Sequence, residues 1–415
     1  MNMRQWVWNG LCEVVLHKKY SNLYLKDHLQ EVDEKDQALA SAIFYGTLQN
    51  YDYCKAVWKR FVTGKINARA GVLLTMSVYQ LLFLDRVPAY SVIDEAVDIA
   101  KKKMPGLAKL VNAVLRNVTR EQFVFPSDPI KALALKNSLP EWLVRLWISQ
   151  YGPRQAFLNS AASVCTLPEY VRINPLRITE KDLKERPELK PKGMVKYERK
   201  QIFTDPLYKQ GKITAQDPGS YEIAKWLDAK PGMKVLDLCA APGTKSMAAA
   251  EMMENKGHID SYDLHEHRAR LIENDARRLH LDIVHPKFGD STLLEFEEDG
   301  KYDRVLCDVP CSGFGILARK PDLKLNLSPK TIDELVPLQA ELLETGAKAL
   351  KKDGRLVYST CTINKKENEK QIEKFLENHP EFEAEDMQTI FPSDEHDGFF
   401  MAKLRYKNTE LPEQE

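Results

Sequence analysis

From Trp6 to about residue 125, apolar residues recur at three- and four-residue spacing, as in Trp6, Leu11, Val14, Val15 and again in Ala38, Ala40, Ile43, Phe44, Leu48. That is the period of helices with one buried stripe. No strand-like alternation interrupts it, and Pro88 and Pro105 fall where helices should break. The pattern predicts an all-α bundle with its own core over residues 1–125. Pro126 to Asp128 reads as a linker, and Leu139 to Trp147 as a new amphipathic segment with Pro140 in its first turn. From Ile213 onward short β runs alternate with helical stretches, the texture of a doubly wound parallel sheet. Strands are predicted at Val235–Leu238, Ile259–Asp263, up to Phe288, at Val305–Asp308, from Leu356 and at Gly398–Leu404, and Asp217-Pro218 is placed to cap a helix over Ser220–Leu227. A helix carrying Ile372, Phe375 and Leu376 on one face follows residue 364, and the chain then turns acidic.

The expected organisation is therefore multidomain: a helical bundle over 1–125, linker helices and a small α+β subdomain over 126–212, a Rossmann-like α/β domain over 213–407, and a charged tail over 408–415. At 415 residues the chain is too long for one typical core. Sixty basic and sixty acidic side chains cancel, so no global field points to nucleic acid or membrane. Locally the balance differs: Arg172 to Lys200 holds ten basic and five acidic residues, a net of +5. Such a stretch either holds a polyanion or is the solvated face of a small insert, and composition does not choose between them. Seven widely spaced cysteines argue against a disulfide framework and for a reducing compartment, so a cytoplasmic location is expected. The start, Met1 to Trp6, lacks the basic-then-apolar pattern of a secretory signal, and the apolar run from Gly71 to Leu84 is too short to span a bilayer. No membrane partner is expected, no metal (no Cys/His set has ligand spacing), and a monomer.

Candidate chemistry gathers where the predicted strands end, because ligands of open α/β sheets bind beyond the carboxyl ends of the strands. Val305-Leu306-Cys307-Asp308-Val309-Pro310-Cys311-Ser312-Gly313 sets an acid three residues before a thiol, and a second strand-end thiol follows in Ser359-Thr360-Cys361-Thr362. Asp237, Asp263, Asp290 and Asp308 stand at four successive strand ends and together describe a nucleoside pocket; any one alone would be an ordinary turn residue. Asp263 suits a ribose diol and Asp290 an adenine amino group. The turn Cys239-Ala240-Ala241-Pro242-Gly243-Thr244-Lys245 is built of small residues that let a ligand approach the backbone. It lacks the Gly-x-Gly-x-x-Gly fingerprint, which disfavours a nicotinamide cofactor. Cys239 and Cys307 read as packed, inert thiols.

Cys-Ala-Ala-Pro-Gly-x-Lys at 239–245, Asp-x-Pro-Cys-Ser-Gly at 308–313 and Ser-Thr-Cys-Thr at 359–362 resemble the motifs of RNA cytosine-C5 methyltransferases. Arg172-x-Asn174 and Gln216-Asp217-x-x-Ser220 also recur there, the former in a small RNA-recognition subdomain. Tyr79–Leu84, Val87–Tyr90, Ile93–Val97 and Val111–Asn117 resemble the helical RNA-binding domain of the antitermination factor B family, which narrows the likeness to the B-type bacterial enzymes of 16S ribosomal RNA.

The resemblance implies a class I methyltransferase sheet, S-adenosyl-L-methionine as cofactor and 16S ribosomal RNA as partner. It assigns Cys361 as the nucleophile toward C6 of cytosine, Cys311 as the group that assists release, and Asp308 as an acid near N3. It assigns the cofactor to Cys239, Ala240, Ala241, Pro242, Gly243, Thr244, Lys245, Asp263, Asp290 and Asp308. Spacing alone does not say which thiol does which. Asp308 could serve as an acid only with its pKa raised by desolvation and neighbouring charge.

RNA contacts are expected from Asn112, Arg116, Asn117 and Lys101-Lys102-Lys103, and from the basic run before Pro321-Asp322. The helical bundle is expected to be removable without loss of cofactor binding. Two departures stand out: Thr244 replaces a usual glycine, and Ala318 replaces a usual basic residue. Transfer RNA or 23S RNA as the target, or a non-catalytic RNA-binding module, are the alternatives.

Overall fold

A computed structural model describes residues 2–190, 193–199, 201–296 and 300–407. Lys192 and Lys200 of the basic stretch, and the tail from residue 408, lie outside the described residues. The chain forms two compact units, Met1–Cys165 with Leu317–Leu327, and Thr166–Ile316 with Ser328–Glu415.

The first unit is helical, and Ala68–Phe83 is its central helix. Every residue from Ala70 to Gln80 is buried there, so the sequence shows no polar face. The Asn67 side chain caps this helix by accepting from the N–H groups of Arg69 and Ala70. Helices Met3–His17, Glu34–Gln49, Tyr51–Lys59, Ala89–Lys103 and Ala108–Arg120 contribute to the same core, through Trp6, Trp8, Phe44, Trp58, Ile99 and Leu115 among others. The Trp58 indole donates to Thr75 Oγ1 and the Trp8 indole to the Arg69 carbonyl.

Segment Leu317–Leu327 belongs to this unit although it follows the Cys311 turn in the chain. Ser21 Oγ donates to Asp322 Oδ1 at 2.6 Å, and Lys324 Nζ donates to the Gln49 and Asn137 carbonyls at 3.1 Å each. Leu325 packs on the helical core. Burial brings the Lys324 ammonium down to about 7, against the pull of Asp52. In the basic run before Pro321-Asp322, Lys320 is exposed and Arg319 half-buried, whereas Pro321, Asp322 and Lys324 beyond it are buried, the last two because their polar groups find partners remote in sequence.

The second unit contains two sheets. Strands β1 (Tyr170–Ile173), β2 (Met194–Lys196) and β3 (Ile213–Ala215) form a small antiparallel sheet in the order β2-β1-β3. The larger sheet comprises β4 (Lys234–Asp237), β5 (His258–Asp263), β6 (Val284–Phe288), β7 (Tyr302–Asp308), β8 (Leu350–Thr360), β9 (Phe382–Ile390) and β10 (Phe399–Tyr406), in the order β6-β5-β4-β7-β8-β10-β9. Strands β4 to β8 pair in parallel, and β10 is antiparallel to both its neighbours. One face buries Val235, Met247, Ile259, Ile272 and Leu306; the other buries Leu236, Val305, Leu343, Leu356 and Phe400.

The expected Rossmann-like methyltransferase architecture is therefore present. The order of strands reverses between β4 and β7, which places the ends of these two strands at the switch-point crevice. The acidic stretch after residue 380 is an edge strand, β9, whose charged side chains point to solvent and guard the edge. No helix among the described residues is long and apolar enough to cross a membrane.

Candidate active site

Strands β7 and β8 run side by side and end together, with Asp308 opposite Ser359 in register. Beyond those ends the chain turns at Pro310–Gly313 and at Cys361–Thr362, and the two turns bring Cys311 Sγ to 3.2 Å from Cys361 Sγ. Gly313 takes φ 72°, a conformation that favours glycine, just past Cys311. Asp308 Oδ1 accepts from Ser359 Oγ at 2.7 Å, and Oδ2 accepts from Lys245 Nζ at 2.6 Å. Lys245 comes from the motif at 239–245, so all three motifs meet at one carboxylate.

Burial works against the Lys245 ammonium. The Asp308 carboxylate, then negative charge at Cys361 and Asp237, outweigh burial and hold Lys245 above the ordinary lysine range. The Cys311 thiol is held well above the ordinary thiol range, first by its hydrogen bond with Cys361, then by burial, then by charge at Cys361 and Glu367. Cys307 and Cys239 are pushed up chiefly by burial, as packed thiols are.

The turn after β4 forms the second part of the site. Ala240 N–H donates to the Tyr262 carbonyl at 2.8 Å, tying the turn to β5. Gly243 sits at φ 100°, and a Cβ there would lie 3.2 Å from Ile272, so both conformation and space call for glycine. The helix Thr244–Met252 then begins with no side-chain cap, leaving its first N–H groups for an anionic ligand. Thr244 is the first residue of that helix, at a position that needs no glycine conformation.

Asp263, at the end of β5, is buried; it accepts from the His265 N–H at 3.0 Å and faces Arg268 Nη2 at 3.3 Å. Asp290 accepts from the N–H and hydroxyl of Thr292. Leu264, Phe288 and Leu293, within three residues of these acids in the chain, are 55%, 63% and 76% exposed. The uncapped helix start, the strand-end acids and exposed apolar side chains near them fit an aminoacyl nucleoside such as S-adenosylmethionine.

Two expectations are corrected. Asp237 shares the face of Val235, beneath helix Thr244–Met252, so it does not line the pocket. It accepts from Ser246 Oγ at 2.6 Å and from the Cys239 N–H, and burial pushes it up to about 7. Arg172, counted in the basic stretch, is buried: it makes two bonds of 2.8 and 2.9 Å to Glu251, donates to Gln216, and donates to the Thr244 carbonyl at 2.9 Å. Arg186 is likewise consumed by Glu188 and Asp205. Arg172, held by Gln216 and Glu251, thus braces the start of helix Thr244–Met252 from the small sheet.

In the helical unit Lys101, Lys102 and Lys103 are exposed, Lys101 pairing with Asp98, while exposed Arg116 donates to half-buried Asn112 at 3.0 Å and Asn117 is half-buried. Ser359 and Glu367 were not singled out in the sequence. Both are polar residues close to motif cysteines, a signal too common to stand out without the fold.

Comparison with known proteins agrees with this geometry. Residues 224–405 match the family described as 16S rRNA methyltransferase RsmB/F, and residues 1–120 match the NusB family. The chain is 35% identical over 409 residues to the probable ribosomal RNA small subunit methyltransferase B of Bacillus subtilis (strain 168), covering 92% of this chain and 90% of that one. It is 32% identical over 399 residues to ribosomal RNA small subunit methyltransferase B of Serratia proteamaculans (strain 568), covering 90% and 91%. The crystal structure of PH0851 superposes with a TM-score of 0.81 at 26% identity, covering 97% of this chain and 99% of that one. With a helical NusB-type unit, an RsmB/F catalytic sheet and full-length relatives above 30% identity, the chain belongs to the ribosomal RNA small subunit methyltransferase B family, whose cofactor is S-adenosylmethionine.

Proposed function

We propose that this protein methylates C5 of a cytosine in 16S ribosomal RNA through a covalent bond between Cys361 and C6. The observation that carries the reading is the pair of thiols 3.2 Å apart beside the Asp308–Lys245 ion pair. N- or O-methylation of RNA needs no thiol, whereas C5 of cytosine must first be activated by a nucleophile at C6. The cofactor, when bound, supplies an electrophilic methyl group.

Cys361 is taken as the attacking sulfur from the family resemblance of Ser-Thr-Cys-Thr, and charge at Cys361 is among the groups that raise the Lys245 ammonium. As sulfur adds, negative charge grows toward N3. The Lys245–Asp308 pair is the source of the balancing proton, in place of the lone protonated Asp308 expected from sequence, since Asp308 Oδ2 already accepts from Lys245. After methyl transfer Cys311 gives its proton to the departing Cys361 sulfur and takes the C5 proton, whose bonding pair restores the C5–C6 double bond as the C6–sulfur bond breaks, and N3 returns its proton to the Lys245–Asp308 pair. Cys311, in contact with that sulfur, is the group placed to assist.

The related enzymes' substrate is small-subunit rRNA by name, and that supports 16S RNA here. Incubation with methyl-labelled cofactor and 16S RNA, followed by nucleoside mass spectrometry, tests the reading. Labelled 5-methylcytidine is expected. Label on a ring nitrogen or a ribose oxygen would overturn it, and label appearing only in transfer or 23S RNA would move the target.

A further inference from the structure

Glu367 is fully buried, and four donors converge on its carboxylate: Ser312 N–H at 2.8 Å, Ser312 Oγ at 2.6 Å, Gln339 Nε2 at 3.1 Å and Asn364 Nδ2 at 2.8 Å. Donors on every side are the pattern of an ionised acid, and all four are neutral groups. Because the one hydroxyl proton of Ser312 goes to Glu367, the 2.8 Å contact between Ser312 and Thr362 must have Thr362 as donor. Thr362 in turn accepts from the Phe314 N–H at 3.2 Å. A directed chain therefore links the Cys311 turn to the Cys361 turn and ends on Glu367.

We propose that Glu367 is a positioning residue that makes the two thiols unequal: by gripping Ser312 it fixes Cys311 against Cys361 and places negative charge on the Cys311 side, so Cys311 keeps its proton and Cys361 is the sulfur that ionises. This rests on the covalent mechanism above and gives its two cysteines their order. The charged and titratable groups around Cys311 are consistent with it. Cys361 is its hydrogen-bond partner and Glu367 its carboxylate neighbour. Tyr358 is buried, donates to the Glu367 carbonyl at 2.6 Å and is pushed up by burial, so it stays neutral. Asp308 is neutralised by Lys245, whose charge acts on Cys361. A thiol that donates to a neighbouring thiolate also stabilises it.

The test is the pH dependence of alkylation of each cysteine by iodoacetamide, read by peptide mass spectrometry on the full-length protein without RNA or cofactor. In the wild type Cys361 should be modified at lower pH than Cys311; the reverse order overturns the proposal even if no variant folds. In Glu367→Gln the Cys311 rate at pH 8 should rise about tenfold relative to Cys361, about one pH unit in its profile, whereas Glu367→Asp, which keeps the charge, should restore the wild-type ratio. Mere loosening would speed both thiols alike, and an unchanged ratio in folded Glu367→Gln would also overturn it. Neither readout requires methylation, so absence of an RNA adduct in Cys311→Ala would sink the covalent reading while leaving this result to be judged by itself.

Discussion

Lys245 Nζ sits 2.6 Å from Asp308 Oδ2, joining the cofactor turn to the strand end that carries the first thiol. This pair changes the chemistry expected of Asp308. A carboxylate already holding an ammonium is one half of a proton-sharing pair, so both members should matter to the same step. Lys245→Met should slow adduct formation by roughly 10²–10⁴-fold, the range of a general acid, with cofactor affinity changed far less. Rapid-quench single-turnover kinetics would check this. Equal loss in cofactor binding and in rate would make Lys245 a binding residue only.

The cofactor site makes a second prediction. Asp263 is buried at the end of β5, and Asp237 is turned under the helix that follows β4. Asp263→Ala should weaken S-adenosylmethionine by about 1–3 kcal/mol through lost charged hydrogen bonds. Asp237→Asn keeps the bond from Ser246 and should leave affinity within about 0.5 kcal/mol of wild type, the scale of substitutions that open no cavity and strand no buried polar group. Titration calorimetry on the two variants distinguishes these outcomes.

The contrast between those two acids shows what the chain does and does not reveal by itself. Strand ends, the small-residue turn and both motif cysteines were legible, because each depends on local pattern. Asp237 was not, since its direction is set by the pleat and by which face the next helix covers. Arg172 looked like part of a basic surface until the fold supplied Glu251 and the Thr244 carbonyl, both more than seventy residues away. Strand β9 reads as an acidic coil, for an edge strand keeps its charge in water and needs few apolar residues; Phe382 is its one fully buried side chain. The place of Leu317–Leu327 within the helical unit depends wholly on contacts between remote segments.

That segment yields a prediction with a definite pH dependence. Lys324 is brought down to about 7 when folded, from an ordinary 10.5. Between these values the unfolded chain binds more protons than the folded one, so this residue's contribution to stability rises with pH from about 7 to about 10.5. Below pH 7 its cost is fully present. Lys324→Met should remove that rise, and the difference in Tm between wild type and variant should change steadily across the window. A pH-independent difference would show that Lys324 ionises there as it does in water.

Removing residues 1–125 tests the same contacts by another route. Ser21 and Gln49 would go, leaving Asp322 without its hydroxyl donor and Lys324 with one carbonyl fewer. The sequence suggested a separable module. The fold predicts instead that fragment 126–415 exposes the segment leading away from the Cys311 turn, and that its unfolding transition is broader and at lower temperature. Calorimetry of the fragment beside the full chain would show it; an unchanged transition for the catalytic unit would contradict it.

The central claim is that Cys361 bonds to the cytosine ring and Cys311 acts afterwards. Its most direct test is denaturing electrophoresis of Cys311→Ala and Cys361→Ala after incubation with labelled 16S RNA and S-adenosylmethionine. Cys311→Ala should transfer the methyl group and then stall, accumulating a protein–RNA band that the second change Cys361→Ala abolishes; Cys361→Ala alone should give no band and no turnover. A band in Cys361→Ala with none in Cys311→Ala would reverse the assignment, and an active double variant would contradict covalent catalysis altogether.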